Sequence, residues 1–141
     1  MNTNQRSEEL TAWLSTAPGQ YLLAWEQAQL DRVVADLFGF HALQLGMPEL
    51  DALRSNRMPH RWLASESGAR PRAVALHCDT DALPFPERSL DLVVLPHTLE
   101  LARDPHLTLA EVERVLVPEG RVVILGFNPA SLWPNFASPH G

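Results

Sequence analysis

With one cysteine among 141 residues, the chain has no internal disulfide, and its fold rests on core packing alone. That fits a reducing compartment. No run of about 18 apolar residues occurs, which leaves no candidate transmembrane helix. The polar, acidic start MNTNQRSEEL has no basic region followed by an apolar stretch, so it does not read as a secretory leader. A cytoplasmic protein is expected. Basic residues are scarce as well, 11 Lys and Arg against 17 Asp and Glu, a net charge of -6. With no basic block and no interleaved aromatics, nucleic acid is not indicated as a partner gathered by charge. The absence of a C-x-x-C pair and of a phosphate loop argues against a redox or nucleotide-binding module. His77 and Cys78 are adjacent, hence on opposite faces of a strand, and nothing near them supplies ligand spacing. No metal is expected.

Proline is plentiful by contrast, with 12 residues that fall mostly between periodic segments and act as punctuation. Residues 8–14 read as a short helical piece ended around Pro18 and Gly19. The next segment sets Leu23, Leu30, Val33, Val34 and Leu37 at helical spacing, with polar side chains mostly opposite, and predicts an amphipathic helix. Residues 41–45 read as a first strand entering Gly46, residues 49–54 as a helix, and residues 60–64 as a weaker strand. The near-continuous apolar runs 73–78 and 90–95 have the character of parallel strands covered on both faces. Between 104 and 116 a helix is expected, with Asp104 as N-cap, Pro105 in its first turn, and Leu109, Val112, Val115 and Leu116 as its buried stripe. Pro118 and Gly120 stop it, and residues 121–127 supply the last strand. Helices alternating with such strands give an α/β class. A chain of this length buries roughly 68% of its unfolded surface, enough for one core. The expected organisation is an N-terminal helical segment, 1–40, and one compact α/β unit, 41–141.

The stretch 78–128, CDTDALPFPERSLDLVVLPHTLELARDPHLTLAEVERVLVPEGRVVILGFN, carries the most specific pattern. Asp79, Leu83, Pro84, Phe85, Ser89 and Asp91 match a "D-A-x-x-L-P-F-x-x-x-S-F-D" element, with Thr80 and Leu90 as departures. Arg114, Val115, Leu116, Pro118 and Gly120 match "R-V-L-x-P-G-G", with Glu119 replacing the first glycine. On these residues the chain resembles the class I S-adenosylmethionine-dependent methyltransferases of the type 11 domain. The resemblance implies a Rossmann-like, mostly parallel sheet in the order 3-2-1-4-5, flanked by helices. The family's C-terminal antiparallel hairpin has no counterpart before Gly141.

What the family does at each strand end can be carried onto this sequence. After the first strand it uses an acidic residue for the methionine ammonium of the cofactor, then a glycine-rich turn; here the residues are Gln44, Leu45, Gly46, Met47, Pro48, Glu49 and Leu50. Only the first glycine is kept. The resemblance makes Gln44 and Gly46 the cofactor-binding positions of this turn, while a turn that has lost its ligand is the other reading. Glu66 is the nearest carboxylate for the ribose, or a solvated turn residue. Asp79 and the backbone at Thr80 correspond to the adenine contact, or to an Asx turn. Asp81 reads as solvated and Asp91 as structural. Pro96 and His97 border the methyl group, and His97 is the candidate general base or substrate contact, or a residue that shapes the loop. Asn128 and Trp133 correspond to the acceptor side, where Trp133 stacks on substrate or folds back on the sheet. The helix before the first strand either caps the cofactor cleft or simply packs on the sheet.

Two functions follow. One is methyl transfer from S-adenosylmethionine to an acceptor, small or macromolecular, that the motifs do not specify. The other, suggested by the altered glycine turn, is a non-catalytic methyltransferase-like module that works through self-association or a protein partner. Without a hairpin beside it, strand 121–127 is an apolar, β-branched edge, so a dimer or larger homo-oligomer is expected there.

Overall fold

The protein is described by a computed structural model over residues 3–66 and 76–126. Its elements run α1 (Thr3–Leu14), α2 (Ala17–Ala35), β1 (His41–Leu45), β2 (His60–Ser65), β3 (Leu76–His77), β4 (Leu90–Pro96), α3 (Thr98–Leu101), α4 (Pro105–Val115) and β5 (Leu116–Leu125). All strand pairs are parallel, in the order β3-β2-β1-β4-β5. This is the α/β, Rossmann-like architecture and strand order that the resemblance implies.

Strand alternation divides the core into two. Ala42, Leu92 and Val94 face a cluster with Leu14 of α1 and Leu30 and Val34 of α2. Leu43, Leu45, Val93 and Leu95 point the other way, onto Val112 and Val115 of α4. These strands are apolar on both faces because each face is covered. Truncating one such leucine to alanine costs roughly 2–5 kcal/mol through lost transfer energy and the cavity left behind.

The helical break lies earlier than Pro18 and Gly19. Thr16 caps α2 by accepting from Gly19 N at 3.3 Å, and Pro18 falls in the first turn, where a missing N–H is harmless. Gly19 is needed for a different reason: a Cβ there would lie 2.3 Å from the Trp13 carbonyl oxygen, so α1 and α2 could not approach so closely. On α4 Val112 and Val115 are buried as expected, but Leu109 is exposed and Thr108 is buried in its stead. The helix also ends at Val115, before Pro118 and Gly120, so Leu116 opens β5 and does not belong to the helical stripe.

Residues 49–54 form turns, not a helix. The reason is Gln44, buried at the end of β1. Its amide nitrogen lies 2.9 Å from the carbonyl oxygens of Gly46, Met47 and Leu50, and its Oε1 accepts from Ala52 N at 2.9 Å. A side chain that collects these backbone groups competes directly with the helical ladder. The strand expected over 73–78 is described only as Leu76–His77 and its following residue; the rest lies outside the described residues.

Two motif residues turn out to be fasteners. Asp91 Oδ2 accepts from the backbone of Phe40 and His41, at 2.9 and 3.0 Å, which ties β4 to the entrance of β1. Arg114 and Glu111 are paired at 2.7 Å and grip Leu83: Glu111 Oε1 accepts from its N–H at 2.9 Å and Arg114 Nη2 donates to its carbonyl at 3.0 Å. The pairing holds the Glu111 carboxyl below its ordinary range, chiefly through the Arg114 hydrogen bond. The Leu83–Pro84–Phe85 turn is thereby fixed against α4.

Candidate functional site

The C-terminal ends of all five strands lie along one rim of the sheet, where ligands bind in open α/β folds. At the first, Gly46 continues the ladder by donating to the Ala64 carbonyl at 2.7 Å, then turns with φ +89°. A Cβ added there would sit 3.4 Å from Thr98 Oγ1, so any side chain meets both strained backbone and the β4 turn. Thr98 in turn donates to the Leu45 carbonyl. The ends of β1 and β4 are thus stitched together.

The second and third ends meet through a side chain. Glu66 directly follows β2, and its Oε2 accepts from Thr80 N at 3.0 Å. Thr80 is buried and its hydroxyl lies 3.1 Å from that of Thr108 on α4. Between them Asp79 is exposed at the rim. Asp81, expected to be solvated, is instead paired with Arg103 at 3.1 Å. Cys78 is half-buried, and its thiol is pushed up by burial first and by the Asp79 and Glu66 charges second. It is therefore a poor nucleophile.

Pro96 ends β4 and is buried. His97 follows in the left-handed region, φ 56° and ψ 15°, a conformation a non-glycine residue keeps only where its surroundings hold it. Its side chain is 1% exposed and lies between two carboxylates: Nε2 is 2.6 Å from Glu26 Oε2 of α2, and Nδ1 is 2.8 Å from Glu100 Oε1 of α3. Burial works against a charge on the ring, but the hydrogen bonds to Glu100 and Glu26, with the charges behind them, outweigh it and raise the pKa to about 9. At neutral pH the ring is an imidazolium donating from both nitrogens. A ring in that state has no lone pair to accept a proton, so the geometry gives the expected general base another part: a fixed positive charge at the β4 turn.

Sequence reasoning missed Glu26. It is 2% exposed, and while Oε2 meets His97, Oε1 is buried with no hydrogen-bond partner among the described residues. A signal was present, since Glu26 stands three residues after Leu23 and four before Leu30, a lone charge on the apolar stripe. Arg6 of α1 reaches the same turn, donating from Nη1 to the Glu100 carbonyl at 3.2 Å, and its Nε is likewise buried and unpartnered. The helix before the first strand packs on the sheet through Leu30 and Val34 and also sends a buried carboxylate to the β4 turn.

The structure brings Gln44, Gly46, Glu66, Asp79, Thr80, Pro96 and His97 to this rim. It commits the Gln44 amide to the 46–52 backbone. Asn128 and Trp133 lie outside the described residues. Among the described residues no group of three or more His, Cys, Asp or Glu is disposed to hold a metal ion, and no helix is long and apolar enough to cross a membrane.

Residues 54–124, half of the chain, match the family described as methyltransferase domain. The uncharacterized protein YafS of Escherichia coli (strain K12) is 35% identical over 106 residues, 74% of this chain and 43% of YafS. The malonyl-[acyl-carrier protein] O-methyltransferase of Halorhodospira halophila is 38% identical over 92 residues, 65% of this chain and 28% of that enzyme. The ubiquinone/menaquinone biosynthesis C-methyltransferase UbiE of Paraburkholderia xenovorans is 39% identical over 54 residues, 38% and 22% of the two chains. In each case the chain spans less than half the length of its relative. Among solved structures, a chain of the complex between the Haloferax volcanii Trm112 methyltransferase activator and a proposed methyltransferase superposes with a TM-score of 0.62. Its identity is 25%, over 83% of this chain and 58% of that one.

Proposed function

The chain belongs to the methyltransferase domain family, and on that premise we propose that it binds S-adenosylmethionine along the strand-end rim and serves methyl transfer to an acceptor. One observation carries the reading. Carboxylates suited to ribose and adenine, Glu66 and Asp79, stand at neighbouring strand ends, joined through the Glu66–Thr80 hydrogen bond, beside the positive-φ Gly46 turn. The cofactor, when bound, supplies an electrophilic methyl group on a sulfonium. The chain's own part is positioning, since such a displacement depends mainly on bringing donor and acceptor into line. In this reading Glu66, held by the Thr80 N–H, takes the ribose hydroxyls, Asp79 the adenine, and Gly46 and Pro96 the methionine side. The His97 imidazolium sets the shape and potential of the β4 turn, and Asn128 and Trp133 are assigned to the acceptor side.

The observation that favours a second reading, a non-catalytic module, is the Gln44 plug. An ionised acceptor of the ammonium is missing where the family has one, and Pro48 removes a backbone donor from the turn. The likeness to a chain in a complex with a methyltransferase activator supports a protein partner in either reading. We place the protein in the cytoplasm, with the 1–40 helical segment capping the 41–141 unit, and with self-association through edge 121–127.

Calorimetric titration with S-adenosylhomocysteine tests the first reading. Binding is expected, weakened by Asp79→Ala and not by Asp81→Ala; absence of any binding would leave the non-catalytic module standing.

A further inference from the structure

Among the described residues two buried polar atoms at the rim lack hydrogen-bond partners, and they are complementary. Glu26 Oε1 is an acceptor on a side chain 2% exposed; Arg6 Nε is a donor. Both side chains touch the same turn, Glu26 through His97 and Arg6 through the Glu100 carbonyl. They come from two cap helices, not from the strands. Native structures seldom leave buried polar atoms unsatisfied, so each requires an explanation. A water molecule can serve either atom singly. The cluster as a whole, however, holds two cations, Arg6 and His97, and two anions, Glu26 and Glu100. A neutral cluster with one unsatisfied acceptor and one unsatisfied donor suits a neutral ligand that is itself a zwitterion.

The α-amino acid group is such a ligand, with an ammonium and a carboxylate on one carbon. S-adenosylmethionine carries one. On β1 the anchor for that ammonium is missing, because position 44 is a glutamine whose amide is engaged with Gly46, Met47, Leu50 and Ala52. We propose that the cap supplies what β1 lacks: Glu26 Oε1 accepts from the ammonium of the cofactor's amino-acid end, and Arg6 Nε donates to its carboxylate. Because both atoms are buried, binding requires the Arg6 and Glu26 side chains to move aside from the β4 turn, while Leu14, Leu30 and Val34 keep α1 and α2 on the core. The proposal rests on the cofactor reading above.

The test compares S-adenosylhomocysteine with 5′-methylthioadenosine, which keeps the nucleoside and lacks the amino-acid end. Both are titrated calorimetrically into the full chain and into Glu26→Gln and Arg6→Met variants. For each variant, S-adenosylhomocysteine affinity falls about tenfold or more, the effect of losing one charge-assisted bond, and 5′-methylthioadenosine affinity stays within about twofold. Equal losses for both ligands, or no loss for either, overturn the proposal and leave cofactor binding intact. If the unmodified chain binds neither ligand, the cofactor reading itself fails and takes this one with it. Should Glu26→Gln not fold, Arg6→Met alone decides, since Arg6 is outside the buried His97–Glu26 ion pair.

Discussion

The proton on His97 ought to be visible in the stability of the protein. Its pKa rises from 6.5 to about 9 on folding, and the sign of the effect follows directly. Below pH 6.5 the ring is protonated in both folded and unfolded chains, and the pairing with Glu26 and Glu100 contributes in full. Between 6.5 and 9 the unfolded chain gives up the proton while the folded chain keeps it, so stability declines by about 1.4 kcal/mol per pH unit. Above 9 the contribution is gone. Over the whole window the loss is about 3 kcal/mol. His97 and Glu26 are almost fully buried and escape screening, whereas the Glu100 side chain is 36% exposed and its share is smaller.

Urea unfolding from pH 6 to pH 9.5 measures this, with His97→Asn as the control, since asparagine tolerates the left-handed backbone at this position. The Cys78 thiol, also raised by burial, lowers alkaline stability in both proteins and cancels in the difference. The stability advantage of the unmodified chain should be greatest near pH 6 and shrink steadily toward pH 9. An advantage that is flat, or that grows with pH, would refute the picture of a ring held protonated between two carboxylates.

Three further outcomes are expected. Gln44→Glu, which restores the charge the family carries, sets a carboxylate against the Gly46, Met47 and Leu50 carbonyl oxygens and should cost at least about 2 kcal/mol by denaturant midpoint; unchanged stability would mean that the plug is not what shapes the turn. Arg114→Met frees the Leu83 carbonyl and its partner Glu111, and should lower stability by about 1–2 kcal/mol in the same assay, an effect absent if the clamp is ornamental. At the sheet edge Val122 and Ile124 are 42% and 51% exposed while Val123 packs on the core, so Ile124→Lys is the clean probe: sedimentation should show an assembly for the unmodified chain that this change dissociates, and a monodisperse monomer at high micromolar concentration would exclude edge pairing.

The sheet was legible because its signal is local. Leu90–Pro96 is apolar at every position but Asp91, the character of a parallel strand covered on both faces. The strand order came with the motifs, which occupy the turns of the β3–β5 half. What was not legible depends on contacts between residues far apart in sequence. Residues 49–54 have ordinary helical composition, and the glutamine that unmakes the helix reaches them from inside a strand. Helical spacing alone did not distinguish Leu109 from Thr108, because the choice depends on the Thr80 hydroxyl across the fold.

His97 shows the same difficulty at the rim. A lone histidine after the fourth strand suggests a base as long as its partners are unknown, and those partners lie three residues after it and 71 residues before it. Once both are in view, the histidine reads differently: a group expected to take protons is one whose proton is held by two carboxylates, and the buried polar atoms without a partner among the described residues are on Glu26 and Arg6. The amphipathic pattern of α2 reads as packing, yet α1 and α2 also bring Arg6 and Glu26 to the β4 turn. A site assembled from helices that precede the sheet and turns that follow its strands has no sequence motif of its own, because its halves, Arg6 and Glu26 against His97 and Glu100, lie at least 71 residues apart. In this chain position 44 holds a glutamine spent on the 46–52 backbone, and the buried carboxylate at the strand ends stands instead on α2, at position 26, against the β4 turn.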